Sequence, residues 1–249
     1  MNKMRQTLGV MGVGAFGEFM LKYLIPYFEV TVYDSHRDLS DIASLYNVKL
    51  GTLDEICDCE IIVLCVPVVH LMDAVSSICH KLQRNQLLID LCSVKVNPIK
   101  IVTDLIPDGV EYLSLHPLFG PQSGKLGIHG LNITLCDIGR TNRKNCIKKY
   151  LSETLGLSVH ETTPELHDKE MAYVQGLTHM MAKVFSKMDV PEIHQKTKTY
   201  LLLSEMVEMI RYDSDELFLA IQRDNPYAKQ TKQEFFDAVK HLEEKLSEE

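Results

Sequence analysis

Leu8-Gly9-Val10-Met11, followed at once by Gly12-Val13-Gly14-Ala15-Phe16-Gly17, is the stretch that decides the fold. The first four residues read as a short apolar strand. Phe16, Phe19, Met20, Tyr23 and Leu24 then recur at i, i+3, i+4, i+7 and i+8, the spacing of one helix face. Between strand and helix, the three glycines of the G-x-G-x-x-G frame serve different purposes. They allow a tight turn, close approach of backbone to a pyrophosphate, and close packing of helix on strand. Unpaired N–H groups and the positive end of the dipole at the helix start suit phosphates. A bare glycine frame is weak evidence, because an ordinary tight turn also uses it. Context strengthens it here, since Val30-Thr31-Val32-Tyr33-Asp34 reads as a second strand with an acid 17 positions past Gly17. Gly12, Gly14, Ala15, Phe16, Gly17 and Asp34 are therefore the candidate cofactor-binding residues. Asp34 would accept from two ribose hydroxyls and repel a 2′-phosphate, which favours NAD. His36 and Arg37 lie close by, and an arginine there can meet a 2′-phosphate, so NADP stays open.

Outward from this stretch, the candidate strands are Thr7–Met11, Val30–Tyr33, Ile61–Val66, Leu87–Leu91, Tyr112–Leu115 and Ile133–Cys136, with helical patterns between several of them. Near-continuous apolar strands alternating with helices predict an α/β domain with a mainly parallel, Rossmann-type sheet covered on both faces. The alternation stops after Val159. Thr163-Pro164-Glu165 reads as an N-cap, a proline at the first helical position and an acid in the first turn. From there the pattern is helical at about 164–188, 191–211, 214–223 and 226–246, with Asp213-Ser214-Asp215 and Asn225-Pro226 as the later breaks. The expected division is a dinucleotide-binding domain over 1–163 and an all-helical domain for substrate binding and dimerisation over 164–249.

The composition limits the partners. Of 249 residues, 45% are hydrophobic and 24% charged, which excludes a disordered chain and leaves enough apolar material for a real core. The net charge of −8 argues against a nucleic-acid surface, so an anionic small molecule would have to be drawn in by a local positive field. No apolar run reaches the roughly 18–20 residues of a membrane span, and MNKMRQTLGVMG lacks a secretory apolar core. Seven cysteines with no C-x-x-C pair suit a reduced, cytoplasmic setting, with Cys65, Cys92 and Cys136 as small core residues. No metal site is expected.

Two segments are hard to explain by packing. Asp90-Leu91-Cys92-Ser93-Val94-Lys95 ends a strand in polar groups, at the carboxyl edge where open α/β sheets bind ligands. Ser114-Leu115-His116-Pro117-Leu118-Phe119-Gly120-Pro121 ends the next strand in the same way. A lone histidine at a strand end is more often structural, but one paired with Ser93 in a dinucleotide fold points to catalysis. In the helical part, Leu177, Met180, Met181, Val184, Phe185 and Met188 form an apolar stripe expected in the core. Asp168, Ala172, Gln175, Gly176 and His179 fall on nearly the opposite side, a small, polar face suited to a cleft, with a glycine permitting close approach.

GVMGVGAFG at 9–17, DLCSVK at 90–95, HPLFGP at 116–121 and HDKEMAYVQGLTH at 167–179 together resemble the prephenate/arogenate dehydrogenase family, the cyclohexadienyl dehydrogenases of tyrosine biosynthesis. The resemblance spans nearly the whole chain, and HPLFGP after DLCSVK is its most specific part. It implies an NAD(P)-dependent oxidative decarboxylation in which hydride leaves a hydroxyl-bearing ring carbon and the ring carboxylate departs as CO₂. His116 would accept the hydrogen bond and proton of the ring hydroxyl, with Ser93 orienting both. His179 would line the substrate pocket, together with Gln175, Gly176 and Gly120. The resemblance also implies a homodimer formed through the helical domain; the stripes Leu201, Leu202, Leu203, Met206 and Met209, then Leu217, Phe218 and Ile221, suit that, and by themselves suit an internal bundle as well. One position departs from the family. Its members commonly carry a carboxylate-clamping arginine six residues before a proline, and counting back from Pro226 reaches Ala220. Arg223, on the same face if the segment is α-helical, is the expected substitute, with Lys95, Arg211 or a partner-chain residue as other cation sources. Alternatives are the 4-amino analogue of prephenate as substrate, and a silent dinucleotide-binding sensor.

Overall fold

The structure is a computed structural model that describes residues 5–247. It divides into two compact units, one ending at Pro164 and the other beginning at Glu165.

The first unit is an eight-stranded sheet. Its strands are β1 (Thr7–Met11), β2 (Glu29–Tyr33), β3 (Lys49–Leu50), β4 (Ile61–Leu64), β5 (Leu87–Asp90), β6 (Glu111–Pro117), β7 (Asn132–Cys136) and β8 (Ser158–Glu161). They lie in the order β3-β2-β1-β4-β5-β6-β7-β8, parallel throughout except for the antiparallel β6–β7 pair. The order reverses direction between β1 and β4, and that switch point is where such sheets bind ligands, beyond the carboxyl ends of their strands. The apolar runs form the strands because both faces are covered. β4 and β5 are buried at every residue, with α1 (Ala15–Leu24) on one side and α4 (Val68–Ile78) and α5 (Val96–Leu105) on the other. Two helices between β2 and β4 are short: α2 (Ser40–Tyr46) and α3 (Leu53–Cys57), the latter started by a Thr52/Glu55 capping box. α6 (Lys144–Lys149) runs into a π-helical turn at Tyr150–Thr154.

β3 and β8 are the two strands not expected from the sequence. Both sit at sheet edges and are largely exposed, so neither shows the apolar run that marks the others. Cys92 and Cys136 are buried, as their apolar settings predict.

The second unit is helical. It comprises α7 (Pro164–Lys187), α8 (Lys198–Ile210), α9 (Asp215–Leu219) continued by a π-helical turn at Ala220–Asp224, and α10 (Ala228–Ser247). α8 starts later than the periodicity suggests. Thr197 caps it by accepting from the Tyr200 N–H, whereas 191–197 remains irregular. The packing of α7 also corrects the sequence reading. Met181, Val184 and Met188, expected in the core, are exposed, while Asp168, Ala172, Gly176 and His179 are buried. The reason is local. The Gln222 side-chain amide donates to the Gly176 carbonyl at 2.7 Å and that of Asn225 to the Asp168 carbonyl at 2.7 Å, so the small face packs on the 220–225 segment. No helix among the described residues is long and apolar enough to cross a membrane.

Candidate active site

The glycine turn is fixed from both sides. The Gly12 N–H donates to the Tyr33 carbonyl at 2.9 Å, and the Cys65 N–H donates to the Met11 carbonyl at 2.8 Å. Gly12 has φ +91°, and a Cβ there would lie 2.9 Å from the backbone of Cys65. A Cβ on Gly17 would lie 2.4 Å from the Gly12 carbonyl oxygen, so that residue lets the helix meet the turn. Gly14 differs, because a Cβ there meets nothing within 4 Å. This open position begins α1, with no side chain capping its N–H groups. A backbone cradle with free space over one glycine and donors at a helix start fits the pyrophosphate of a dinucleotide.

Asp34 closes the cradle. One carboxylate oxygen accepts from the Val13 N–H at 2.8 Å, and the other from the N–H groups of His36 at 2.9 Å and Arg37 at 3.1 Å. Partial burial pushes its pKa up, but these three donors and nearby His36 outweigh that and hold it below the usual carboxylate range. The Arg37 guanidinium donates to the Val13 carbonyl at 2.8 Å and to Glu18 at 3.0 Å. Arg37 is thus tethered to the glycine loop, an arrangement its spacing from Gly17 does not reveal.

β1, β4, β5 and β6 are neighbours with a common direction, so the glycine turn, Ser93 and His116 all lie at one sheet edge. β1 and β6 are three strand spacings apart, about 14 Å. His116 is 4% exposed. Phe119 packs on Phe16 and Phe19 of α1 with ring centroids 6.2 and 6.4 Å apart, which anchors the HPLFGP turn to the helix that leaves the glycine loop. Gly120 opens a tight turn there, its N–H donating to the Ser123 hydroxyl at 2.9 Å. The Ser93 hydroxyl is buried and has no hydrogen-bond partner among the described residues. A buried hydroxyl left so is costly unless a ligand completes it.

Lys95 does not serve as the expected substrate cation. It is fully buried, and its ammonium donates to Asp90 at 2.9 Å, the Ser114 hydroxyl at 2.8 Å and the Leu115 carbonyl at 2.7 Å. All three of its protons are taken by the protein. Full burial opposes charge on Asp90, yet Lys95, Ser114 and Tyr112 together hold its pKa low.

In the helical unit, His179 is buried with Nδ1 unbonded, 3.7 Å from a carboxylate oxygen of Asp213. Burial, helped by the Lys183 charge, pushes the imidazole pKa down to about 4, and burial raises that of Asp213. In the sequence Asp213 reads only as a helix break, and no periodicity signals its position beside His179. Gln175 is half-buried one turn away. Gly176 lacks the close contact the sequence suggests, since an added Cβ would meet only the Met171 carbonyl at 3.8 Å. Arg223 and Ala220 do not share a face. The wider π-helical turn leaves Ala220 and Gln222 buried and Arg223 exposed. Arg211 lies at the surface near Glu208.

Residues 22–159 match the family described as the nucleotide-binding domain of prephenate dehydrogenase, more than half of the chain. The chain belongs to the prephenate dehydrogenase family. The match to this family begins after the glycine loop, and residues 184–249 match a second domain family, the TYRAAT1-like C-terminal domain. Arogenate dehydrogenase 2 of Arabidopsis thaliana is 30% identical over 230 residues, covering 89% of this chain and 64% of that protein. Arogenate dehydrogenase 1 of the same plant is 27% identical over 252 residues, covering 97% of this chain and 39% of that protein. The chain therefore spans less than two thirds of either relative. Among solved structures, prephenate dehydrogenase from A. aeolicus, in complex with hydroxyphenyl propionate and NAD+, superposes with a TM-score of 0.74. At 18% identity, the match covers 98% of this chain and 91% of that one, a likeness of fold.

Proposed function

We propose that this member of the prephenate dehydrogenase family oxidises and decarboxylates prephenate or arogenate, with His116 as base and NAD as the favoured cofactor. The observation that carries the reading is the buried, unpartnered Ser93 hydroxyl at the sheet edge shared by the glycine cradle and His116. The main-chain N–H groups around Gly14, Ala15 and Phe16 would hold the pyrophosphate, and Asp34 the adenosine ribose. A nicotinamide bound along this edge would supply the hydride acceptor. His116 takes the proton of the ring hydroxyl as positive character builds on the carbinol carbon, help typically worth about 10²–10⁴-fold. Ser93 hydrogen-bonds the same hydroxyl and keeps it turned toward the imidazole. Loss of the ring carboxylate as CO₂ completes an aromatic ring. Within the helical unit, His179, kept neutral by burial, with Gln175 and Gly176, is a candidate for contacts to substrate, and within the sheet unit Gly120 of the HPLFGP turn is another. Arg223, exposed near the end of its segment, is retained as a candidate for a substrate carboxylate.

The ionised Asp34 supports NAD, because its charge opposes a 2′-phosphate. The exposed Leu201, Leu202 and Met209 of α8, which buries no residue, support a homodimer through the helical unit. The reduced-nicotinamide absorbance, followed with prephenate, arogenate and the 4-amino analogue against NAD and NADP, tests the assignment. Reduction with prephenate or arogenate, faster with NAD, is expected. Tight NAD binding without reduction by any of the three would overturn the enzyme in favour of a sensor.

A further inference from the structure

The buried Asp90–Lys95 pair has no role in the chemistry above, yet it connects the two segments that carry it. β5 ends at Asp90, which pairs in register with Ser114 of β6. Beyond that point β6 has lost its neighbour on this side. The Lys95 ammonium takes over where β5 stops, donating to the Ser114 hydroxyl and then to the Leu115 carbonyl. That carbonyl belongs to the same peptide plane as the His116 N–H, so fixing it fixes the direction in which the His116 side chain leaves the strand. On the other side, Asp90 Oδ1 accepts from Lys95 and from the Cys92 N–H at 3.0 Å, which pins the chain on both flanks of Ser93. Asp90 Oδ2 accepts from the Tyr112 hydroxyl at 2.6 Å, a second tie to β6.

We infer that Lys95, held by Asp90, is a positioning residue that sets Ser93 and His116 in a common frame. The inference rests on the catalytic reading of those two residues. The attraction of the two charges does not by itself account for the pair, because a buried ion pair exchanged for well-packed hydrophobic residues of similar volume is often neutral or stabilising. A lysine anchored only as a surface charge would leave its ammonium in water, whereas this one joins the end of β5 to two groups of β6.

The test uses the full chain with Asp90→Asn/Lys95→Met, which removes both charges together, beside Lys95→Met alone. In the double variant the unfolding midpoint falls by only about 2–12 °C, because the Leu115 carbonyl loses its donor, and the NAD dissociation constant stays within about twofold. The value of kcat falls at least tenfold while KM changes less than threefold. Hydrogen exchange rises together in peptides covering 90–96 and 113–117, with β1 and β2 unchanged. A purely structural role would instead raise exchange across the whole sheet and leave kcat of the folded protein at the parental value. A folded double variant with kcat within twofold of the parent, or with parental exchange in both segments, overturns the inference. Absence of turnover in the parent itself would overturn the catalytic reading, and the paired exchange response would still decide whether Lys95 holds the two segments.

Discussion

Alanine at Gly12 and at Gly14 should do opposite things, although only one residue separates them. At Gly12 the residue has φ +91° and its Cβ would fall 2.9 Å from the carbonyl carbon and oxygen of Cys65. Those are backbone atoms of the residue after β4, hydrogen-bonded to Met11, and they cannot swing away as a side-chain tip can. Left-handed strain costs about 1–2 kcal/mol. Overpacking adds about 1–3 kcal/mol. A loss near 3 kcal/mol is expected, about 6–12 °C in the midpoint for a protein of this size. At Gly14 the backbone is extended and the Cβ meets nothing within 4 Å. The cost to the fold is a slightly poorer N-cap, roughly 0.5–1 kcal/mol. The new methyl stands where the pyrophosphate would approach, so NAD affinity should fall at least tenfold, about 1.4 kcal/mol or more. Thermal unfolding and fluorescence titration with NAD, run on both variants, separate the effects. A Gly14→Ala protein with parental NAD affinity, or a Gly12→Ala protein with parental stability, refutes the assignment of those two glycines.

In the helical unit, His179 has a folded pKa of about 4 against an ordinary 6.5, so burial favours its neutral form. Its contribution is present above pH 6.5, declines as pH falls toward 4 and changes no further below that, an effect of no more than about 3 kcal/mol. Asp213, raised by burial, works in the opposite sense over the acid range. Urea unfolding at pH 7 and pH 4.5 should show a smaller acid loss in His179→Gln than in the parent, and equal losses would contradict the buried neutral imidazole. Gly176→Ala should gain up to about 1 kcal/mol from helix propensity, because the added Cβ meets only one atom, at 3.8 Å. A lowered unfolding midpoint would show that the α7 face is tighter than its contacts indicate.

The parts of this molecule legible in the sequence are those with a local physical signal. The glycine frame, the buried strands β1, β2 and β4 to β7, and the polar groups ending β5 and β6 all follow from runs of residue type at fixed spacing. β3 and β8 carry no such signal, since exposed edge strands have no apolar face to mark them. The buried face of α7 escapes the pattern for a related reason. Hydrophobic periodicity ranks Met181, Val184 and Met188 above Ala172 and Gly176, but packing on 220–225 is governed by two amides reaching α7 carbonyls. Lys95 shows the same limit. A lysine near a ligand edge reads as a free cation until the end of β5 is known to leave a carbonyl for it to satisfy. Arg223 leaves the face of Ala220 because a π-helical turn changes which residues share a face.

Replacement of His116 by asparagine tests the account most directly. Asparagine keeps a polar side chain but cannot take a proton from an alcohol, so single-turnover formation of reduced nicotinamide separates binding from chemistry. The NAD dissociation constant should stay within about twofold, while the rate should fall by about 10²–10⁴. A His116→Asn protein that reduces the cofactor at the parental rate would contradict the account at its centre.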